Sequence, residues 1–124
     1  MEKRILIVEN DLEMEDIFKE IFSDNGEEVV FFYEETDDIL ELVEKHRPTI
    51  VILDYNLNGL NGGELCKLIK GSGKHKHIPV LLLSAFPKFI YSNENVGNNA
   101  FLEKPFDVDE LKTVVEHIIN GSPK

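Results

Sequence analysis

Apolar residues fall into five short, nearly continuous runs that are separated by longer amphipathic segments. The runs are Ile5 to Val8, Val29 to Phe32, Ile50 to Leu53, Val80 to Leu83, and Phe101 to Leu102. Runs that are continuously apolar, rather than alternating, are typical of strands covered on both faces, as in a parallel sheet flanked by helices. The pattern therefore predicts an α/β fold in which strands and helices alternate.

Apolar residues at helical spacing predict a helix after four of the five runs. The first such helix has its apolar positions between Leu12 and Phe22, and Asn25-Gly26 supplies a C-terminal stop. The second is predicted to begin at a cap residue, Thr36, and to end before Pro48, because proline disfavours helix in the residue before it.

The later helices differ in how regular their patterns are. Gly62 to Lys70 predicts a third helix whose apolar face is Leu65, Leu68 and Ile69, and Asp107 is a cap for the last helix. The segment between Ser84 and Gly97 contains a proline and two asparagines, and its apolar residues form no single stripe. We therefore expect a short or irregular fourth helix, and an altered partner surface from residue 87 to residue 99.

Alternating strands and helices with right-handed crossovers imply an open, doubly wound parallel sheet. In such sheets ligands bind outside the carboxyl ends of the strands, where the strand order reverses. The chemistry-bearing residues found just after the apolar runs are Glu9, Asn10, Asp11, Asp54, Ser84 and Lys104. These residues are predicted to share one edge of the sheet.

This set suits phosphoryl transfer to a carboxylate. Asp54 is the candidate nucleophile, since a carboxylate can attack phosphorus if a metal and cations offset the repulsion between two anions. Mg²⁺ prefers oxygen ligands. Such oxygens are available on the residues after the first run, on Asp54 and on a main-chain carbonyl that follows it. Lys104 supplies an ammonium for the phosphoryl oxygens, and Ser84 a hydroxyl that can hydrogen-bond one of them.

Four strings in this order resemble the motifs of the response-regulator receiver family. They are ILIVEND at residues 5–11, VILDYNLNGLNG at 51–62, VLLLSA at 80–85 and FLEKPFDVDEL at 101–111. The resemblance covers nearly the whole chain. It implies a flavodoxin-like (βα)5 sheet with strand order 2-1-3-4-5, and phosphoryl transfer from a phosphohistidine.

The resemblance also implies a role for each matching residue. Asp54 matches the phosphorylated aspartate, Asn56 the residue whose backbone carbonyl binds Mg²⁺, and Glu9-Asn10 the acidic pair. The second member of that pair is usually a carboxylate, so Asn10 implies weaker Mg²⁺ binding unless the neighbouring Asp11 turns inward.

The switch positions follow in the same way. Ser84 matches the switch hydroxyl, Phe101 the switch aromatic and Lys104 the lysine of the family, followed by Pro105, where members commonly have a cis peptide. Phe101 lacks the hydroxyl of the tyrosine that is common there, and a plain core role for its ring remains an open alternative.

Composition narrows the context. The 124 residues suit one domain, which we place at residues 1–120, with 121–124 as a short C-terminal tail. A formal net charge of −11 disfavours direct binding to nucleic acid. No apolar run approaches the roughly 20 residues of a membrane-spanning helix, and no signal peptide is recognisable, so the sequence predicts a cytoplasmic protein without membrane association.

Two local features stand apart from the motifs. Cys66 is predicted to be a buried or half-buried thiol without a disulfide partner. A basic stretch interrupts the acidic background, and a solvated connection is its simpler interpretation, with a docking patch as the alternative. Its members are Lys70, Lys74, His75, Lys76 and His77.

The sequence thus predicts a phosphoacceptor signalling module that catalyses only its own phosphorylation and dephosphorylation. The implied partners are a sensor histidine kinase or histidine phosphotransfer protein and an output protein of unknown identity, with homodimerisation left open. The alternative is a pseudo-receiver that binds a partner without phosphorylation. An aspartate-nucleophile phosphatase is disfavoured because Asp54-Tyr55-Asn56 lacks a second acid two residues after the first.

Overall fold

The computed structural model describes residues 3–23, 26–33, 36, 38–57, 60–85 and 97–120. Five strands form one sheet: β1 (Arg4–Val8), β2 (Glu28–Phe32), β3 (Ile50–Asp54), β4 (Val80–Ser84) and β5 (Ala100–Glu103). Within the described residues four helices accompany it: α1 (Met14–Ser23), α2 (Ile39–His46), α3 (Gly62–Lys70) and α4 (Val108–Ile119). Helix α4 is the last of the five predicted helices. The irregular helix predicted between Ser84 and Gly97 falls almost entirely on residues 86–96, which lie outside the described residues, as does the predicted tail at 121–124.

All five strands are parallel, and their order is β2-β1-β3-β4-β5. This order confirms the predicted flavodoxin-like, doubly wound sheet. The chain passes from β1 to β2 on one side and then crosses to β3 on the other, so the order reverses between β1 and β3. The crevice above the carboxyl ends of these two strands is where such sheets bind ligands.

Alternate residues of the central strands enter two separate cores. Ile5, Ile7, Ile50 and Ile52 pack with α1 and α4 on one face of the sheet. The intervening residues of the same strands pack with α2 and α3 on the other face. Every residue of β3 and β4 is buried, which is why their apolar runs are continuous.

The predicted apolar faces of two helices were partly wrong. In α1, Phe18 is buried as expected, but Ile17 and the preceding Leu12 are exposed. In α3, Leu68 is exposed, and Cys66 is buried in the core instead. An apolar stripe of helical spacing is wider than the contact with the sheet, so its outer members face solvent.

The predicted cap of α2 was also wrong by two residues. Asp38 is the N-cap, because its carboxylate accepts a hydrogen bond from the backbone N–H of Glu41. Thr36 acts one step earlier, where its hydroxyl accepts from the N–H of Asp38. The helix ends before Pro48, as predicted, at Arg47 in the left-handed conformation, with φ of 49° and ψ of 60°.

The caps of α3 and α4 hold their first turns in place. Asn61 and Glu64 form a reciprocal capping box at the start of α3. Asp107 caps α4 by accepting from the N–H of Glu110, which confirms its predicted role. None of the described helices has the length and apolar character needed to cross a membrane.

Candidate functional site

Three charged residues meet at the carboxyl end of the sheet. The ammonium of Lys104 donates to Glu9 Oε1 at 2.9 Å and to Asp54 Oδ2 at 3.1 Å. The Glu9 residue is 0% exposed and Asp54 is 2% exposed. Lys104 is 95 positions from Glu9 and 50 positions from Asp54 in sequence, so it is the sheet that brings the three side chains together.

Strand register explains this meeting. Val8 of β1 is paired with Leu53 of β3, so Glu9 and Asp54 follow as the next residues on neighbouring strands. Ser84 is paired with Glu103, which places Lys104 directly above the end of β4. The backbone N–H of Lys104 donates to the carbonyl of Ser84 at 2.8 Å and fixes this position.

Hydrogen bonds from backbone N–H groups two residues further along the chain orient both carboxylates. Glu9 Oε2 accepts from the backbone N–H of Asp11 at 3.2 Å. Asp54 Oδ1 accepts from the backbone N–H of Asn56 at 3.0 Å. Each carboxylate thus has one oxygen on its own loop and the other on the ammonium of Lys104, which sets the side-chain angle before any ligand arrives.

Gly62 shapes the backbone beneath Asp54, a role that the sequence did not suggest. A Cβ at this position would lie 2.5 Å from the carbonyl oxygen of Asp54, and the N–H of Gly62 donates to the carbonyl of Tyr55 at 3.2 Å. Only glycine lets the start of α3 approach the end of β3 so closely. A glycine opening a helix beside a strand-end acid was the available signal.

The side chain of Asn56 makes a second contact that was missed. Its Oδ1 accepts from the backbone N–H of Ala85 at 3.4 Å. The bond joins the loop after β3 to the end of β4, whereas the sequence pointed only to the backbone carbonyl of Asn56. This hydrogen bond therefore links the loop whose backbone carbonyl is predicted to bind Mg²⁺ to β4, the strand that ends at Ser84.

The site holds two buried carboxylates against one ammonium. Burial raises the pKa of Glu9 to about 7, helped by the hydrogen bond and charge of Asp54 and opposed by Lys104. Burial by itself acts to lower the pKa of Lys104, but the hydrogen bonds and charges of Glu9 and Asp54 outweigh it and raise that pKa. The imbalance favours a further cation.

The other predicted site residues lie around this centre. Asn10 and Asp11 are exposed on the loop after β1, and Asp11 Oδ1 accepts from the N–H of Glu13 at 3.0 Å. Ser84 is fully buried, and Phe101 is half-buried in β5. The Lys104–Pro105 peptide is cis, as the resemblance implied.

The donor set fits a magnesium ion. Among the described residues, no three His, Cys, Asp or Glu side chains are grouped closely enough to hold a metal. The site offers the two buried carboxylates of Glu9 and Asp54, and Asn10 and Asn56 lie next to them in sequence. Mg²⁺ takes oxygen ligands, needs few from the protein and keeps several waters, so two carboxylates with neutral oxygens suit it.

Comparisons with known proteins agree with the fold. A family model described as "Response regulator receiver domain" matches residues 5–116. The crystal structure of the receiver domain of NtrX from Brucella abortus superimposes with a TM-score of 0.80 at 31% identity, covering 95% of this chain and 99% of that one.

Two curated relatives differ greatly in length. Sporulation initiation phosphotransferase F of Bacillus subtilis is 29% identical over 118 residues, which are 94% of this chain and 93% of that protein. Histidine kinase P4 of Formosa agariphila is 33% identical over 84 residues, which are 66% of this chain but 6% of the kinase. The same type of domain therefore occurs both as almost a whole protein and as a small part of one.

Proposed function

The chain belongs to the response regulator receiver family of two-component signalling, and from that premise we propose that Asp54 is its phosphoacceptor. The donor is a phosphohistidine of a sensor histidine kinase or histidine phosphotransfer protein. One observation carries the proposal: the Lys104 ammonium lies 3.1 Å from the buried Asp54 carboxylate, at the crevice where the sheet reverses its strand order.

The residues at the site suit this transfer. An oxygen of Asp54 attacks phosphorus, so that a P–O bond forms while the P–N bond breaks, and the donor imidazole leaves with its electron pair. Lys104 already binds the carboxylate and is placed to stabilise charge on the transferred group. Burial excludes most water from the acceptor, which strengthens these interactions.

Glu9, Asn10, Asp54 and the carbonyl of Asn56 are the residues that would hold Mg²⁺. When bound, the metal supplies positive charge that offsets repulsion between the phosphoryl group and the carboxylates. Ser84 and Phe101 are the proposed switch residues, since Ser84 lies at the end of β4 and the Phe101 ring is only partly covered.

Asn10 is proposed to weaken Mg²⁺ binding, because an amide oxygen carries no charge. Asp11 would compensate only by giving up its hydrogen bond to the N–H of Glu13. Mg²⁺ titration followed by NMR tests this: Asn10→Asp should tighten binding at least several-fold, and Asp11→Ala should leave it unchanged. Submillimolar wild-type affinity that persists in Asp11→Ala would contradict the idea.

Incubation with acetyl phosphate and Mg²⁺, read by intact mass, tests the phosphoacceptor role. Wild type should gain one phosphoryl group, and Asp54→Ala should gain none. Asp11→Ala, which also removes an aspartate, is the matched control and should gain one. Removing Mg²⁺ with EDTA should suppress the increase in mass. A folded wild type that stays unmodified would instead favour the pseudo-receiver, which binds a partner without phosphorylation.

A further inference from the structure

A cleft of about 280 Å³ lies at the opposite end of the sheet from Asp54. It opens between the C-terminal end of α2 and the loop from residue 71 to residue 79, which joins α3 to β4. Its apolar lining comes from Val43, Pro48 and Ile78, all of which are buried. An apolar floor of this kind suits a small organic group more than a bare ion.

The rim of the cleft carries more positive than negative charge. The carboxylate oxygens of Glu44 lie 2.6 Å from the ammonium of Lys74, 3.2 Å from Nε2 of His75 and 3.5 Å from the guanidinium of Arg47. His77 also lines the cleft. The hydrogen bond from Lys74 holds the pKa of Glu44 below its usual value. Among the described residues that line the cleft, one carboxylate therefore faces two permanent cations and a histidine.

Arg47 occupies a backbone conformation that seldom holds an arginine. Its φ of 49° and ψ of 60° are left-handed values, which glycine adopts most readily at the end of a helix. The chain thus places a large cation beside the cleft at a position where glycine would fit with less strain. Strained residues of this kind are concentrated at functional sites.

The loop is held in shape without any ligand. The ammonium of Lys70 donates to the carbonyl of Ile78 at 2.7 Å and to that of Lys76 at 3.2 Å. This bridge spans the loop and keeps Lys74 and His75 facing Glu44. A preformed site loses less conformational freedom on binding.

We propose that this cleft binds a small organic anion, with a carboxylate held by Lys74 and Arg47 and a short apolar body resting on Pro48 and Ile78. The net charge of −11 repels polyanions at long range, so a ligand with one negative charge suits the cleft better than nucleic acid or an acidic protein segment. Binding here is independent of the role proposed for Asp54.

The probe is 4-methylpentanoate, with 4-methylpentanamide as its neutral analogue, each titrated into ¹⁵N-labelled protein. We expect saturable amide shifts at Glu44 and at residues 74–78, with a Kd on the order of 1 mM for the carboxylate. The amide should bind several-fold more weakly. Shifts confined to Asp54 and Lys104, or no saturation for either compound, would overturn the proposal.

Two pairs of variants separate specific contacts from net charge. Lys74→Ala should weaken binding at least about threefold, whereas Lys76→Ala, an equal charge change at an exposed residue of the same loop, should not. Glu44→Gln should strengthen binding several-fold by removing the competing carboxylate, and Glu41→Gln on the same helix should have no effect. Equal effects within either pair would show that only bulk charge is sensed.

A third variant tests the strained arginine. Arg47→Gly removes the guanidinium and relieves the left-handed backbone, so we expect weaker probe binding together with an unchanged or raised melting temperature. Unchanged probe binding in a folded Arg47→Gly protein would remove Arg47 from the site.

Discussion

At the carboxyl end of the sheet one ammonium, that of Lys104, lies between two carboxylates, whereas at the amino end one carboxylate, that of Glu44, lies among two cations and a histidine. The first cluster lacks positive charge and the second lacks negative charge. The two ends are therefore suited to ligands of opposite sign.

The clusters also differ in their contact with water. The side chains of Glu9 and Asp54 are 0% and 3% exposed, while those of Glu44 and Lys74 are 41% and 70% exposed. Removing one member of a buried ion pair leaves an uncompensated charge in a medium of low polarity, whereas solvent screens an exposed one. The same kinds of side chain should thus contribute very differently to stability.

The largest expected effect contrasts two lysines. Lys104→Met should lower the free energy of unfolding by about 2–4 kcal/mol in metal-free buffer, because it leaves two buried carboxylates without a cation. Lys74→Met should lower it by less than about 0.5 kcal/mol, since its ion pair is exposed. Urea unfolding of both variants measures the difference, and similar losses would refute the contrast.

A second comparison concerns two glycines, one at each end. Gly62→Ala should destabilise the fold by about 1–3 kcal/mol and slow phosphorylation by acetyl phosphate, because the new Cβ would displace the backbone of Asp54. Gly73→Ala, in the loop beside the cleft, places its Cβ in open space and is the matched control. If Gly62→Ala matched Gly73→Ala in both measurements, the close approach of α3 to Asp54 would not matter.

The smallest effect concerns the core between the two ends. Burial raises the pKa of the Cys66 thiol to about 11, from an ordinary value of 9.0, and the charge of Lys70 opposes this shift. Between these values the folded chain retains a proton that the unfolded chain has lost. This contribution to stability is complete below pH 9 and declines as pH rises towards 11.

By pH 10 wild type should have lost about 1 kcal/mol of stability through Cys66, a loss that Cys66→Ala should not show. Urea unfolding of both proteins at pH 8 and pH 10 isolates this thiol from the other groups that titrate there. Parallel pH dependence of the two proteins would mean that the thiol is not shielded from water.

The strand-end residues were predictable because a parallel sheet aligns the ends of its strands. Glu9, Asp54 and Lys104 each follow a continuous apolar run, so their meeting required only the strand order. The close approach of Gly62 and the side-chain bond of Asn56 depend on distances between loops, which no periodicity encodes.

The errors on the helices have a similar origin. Leu68 and Ile17 lie on apolar stripes, but how far a stripe reaches into the core depends on where the helix sits on the sheet. Thr36 and Asp38 are both residue types that cap helices. The Thr36 hydroxyl accepts from the N–H of Asp38, and the Asp38 carboxylate accepts from the N–H of Glu41, so residue type alone does not show which of them is the cap. The charged rim at Glu44 was also hidden, because its partner Lys74 comes from another element.

The bond between Glu9 and Lys104 joins residues that are 95 positions apart. A ribosome adds roughly 5–20 residues per second, so roughly 5–20 s separate the synthesis of these two side chains. A nascent chain could complete β1, β2 and β3 during that interval, yet the Asp54 carboxylate would still lack its ammonium partner. The charged cluster of Glu9, Asp54 and Lys104 is therefore complete only after the residue that follows β5 has been added.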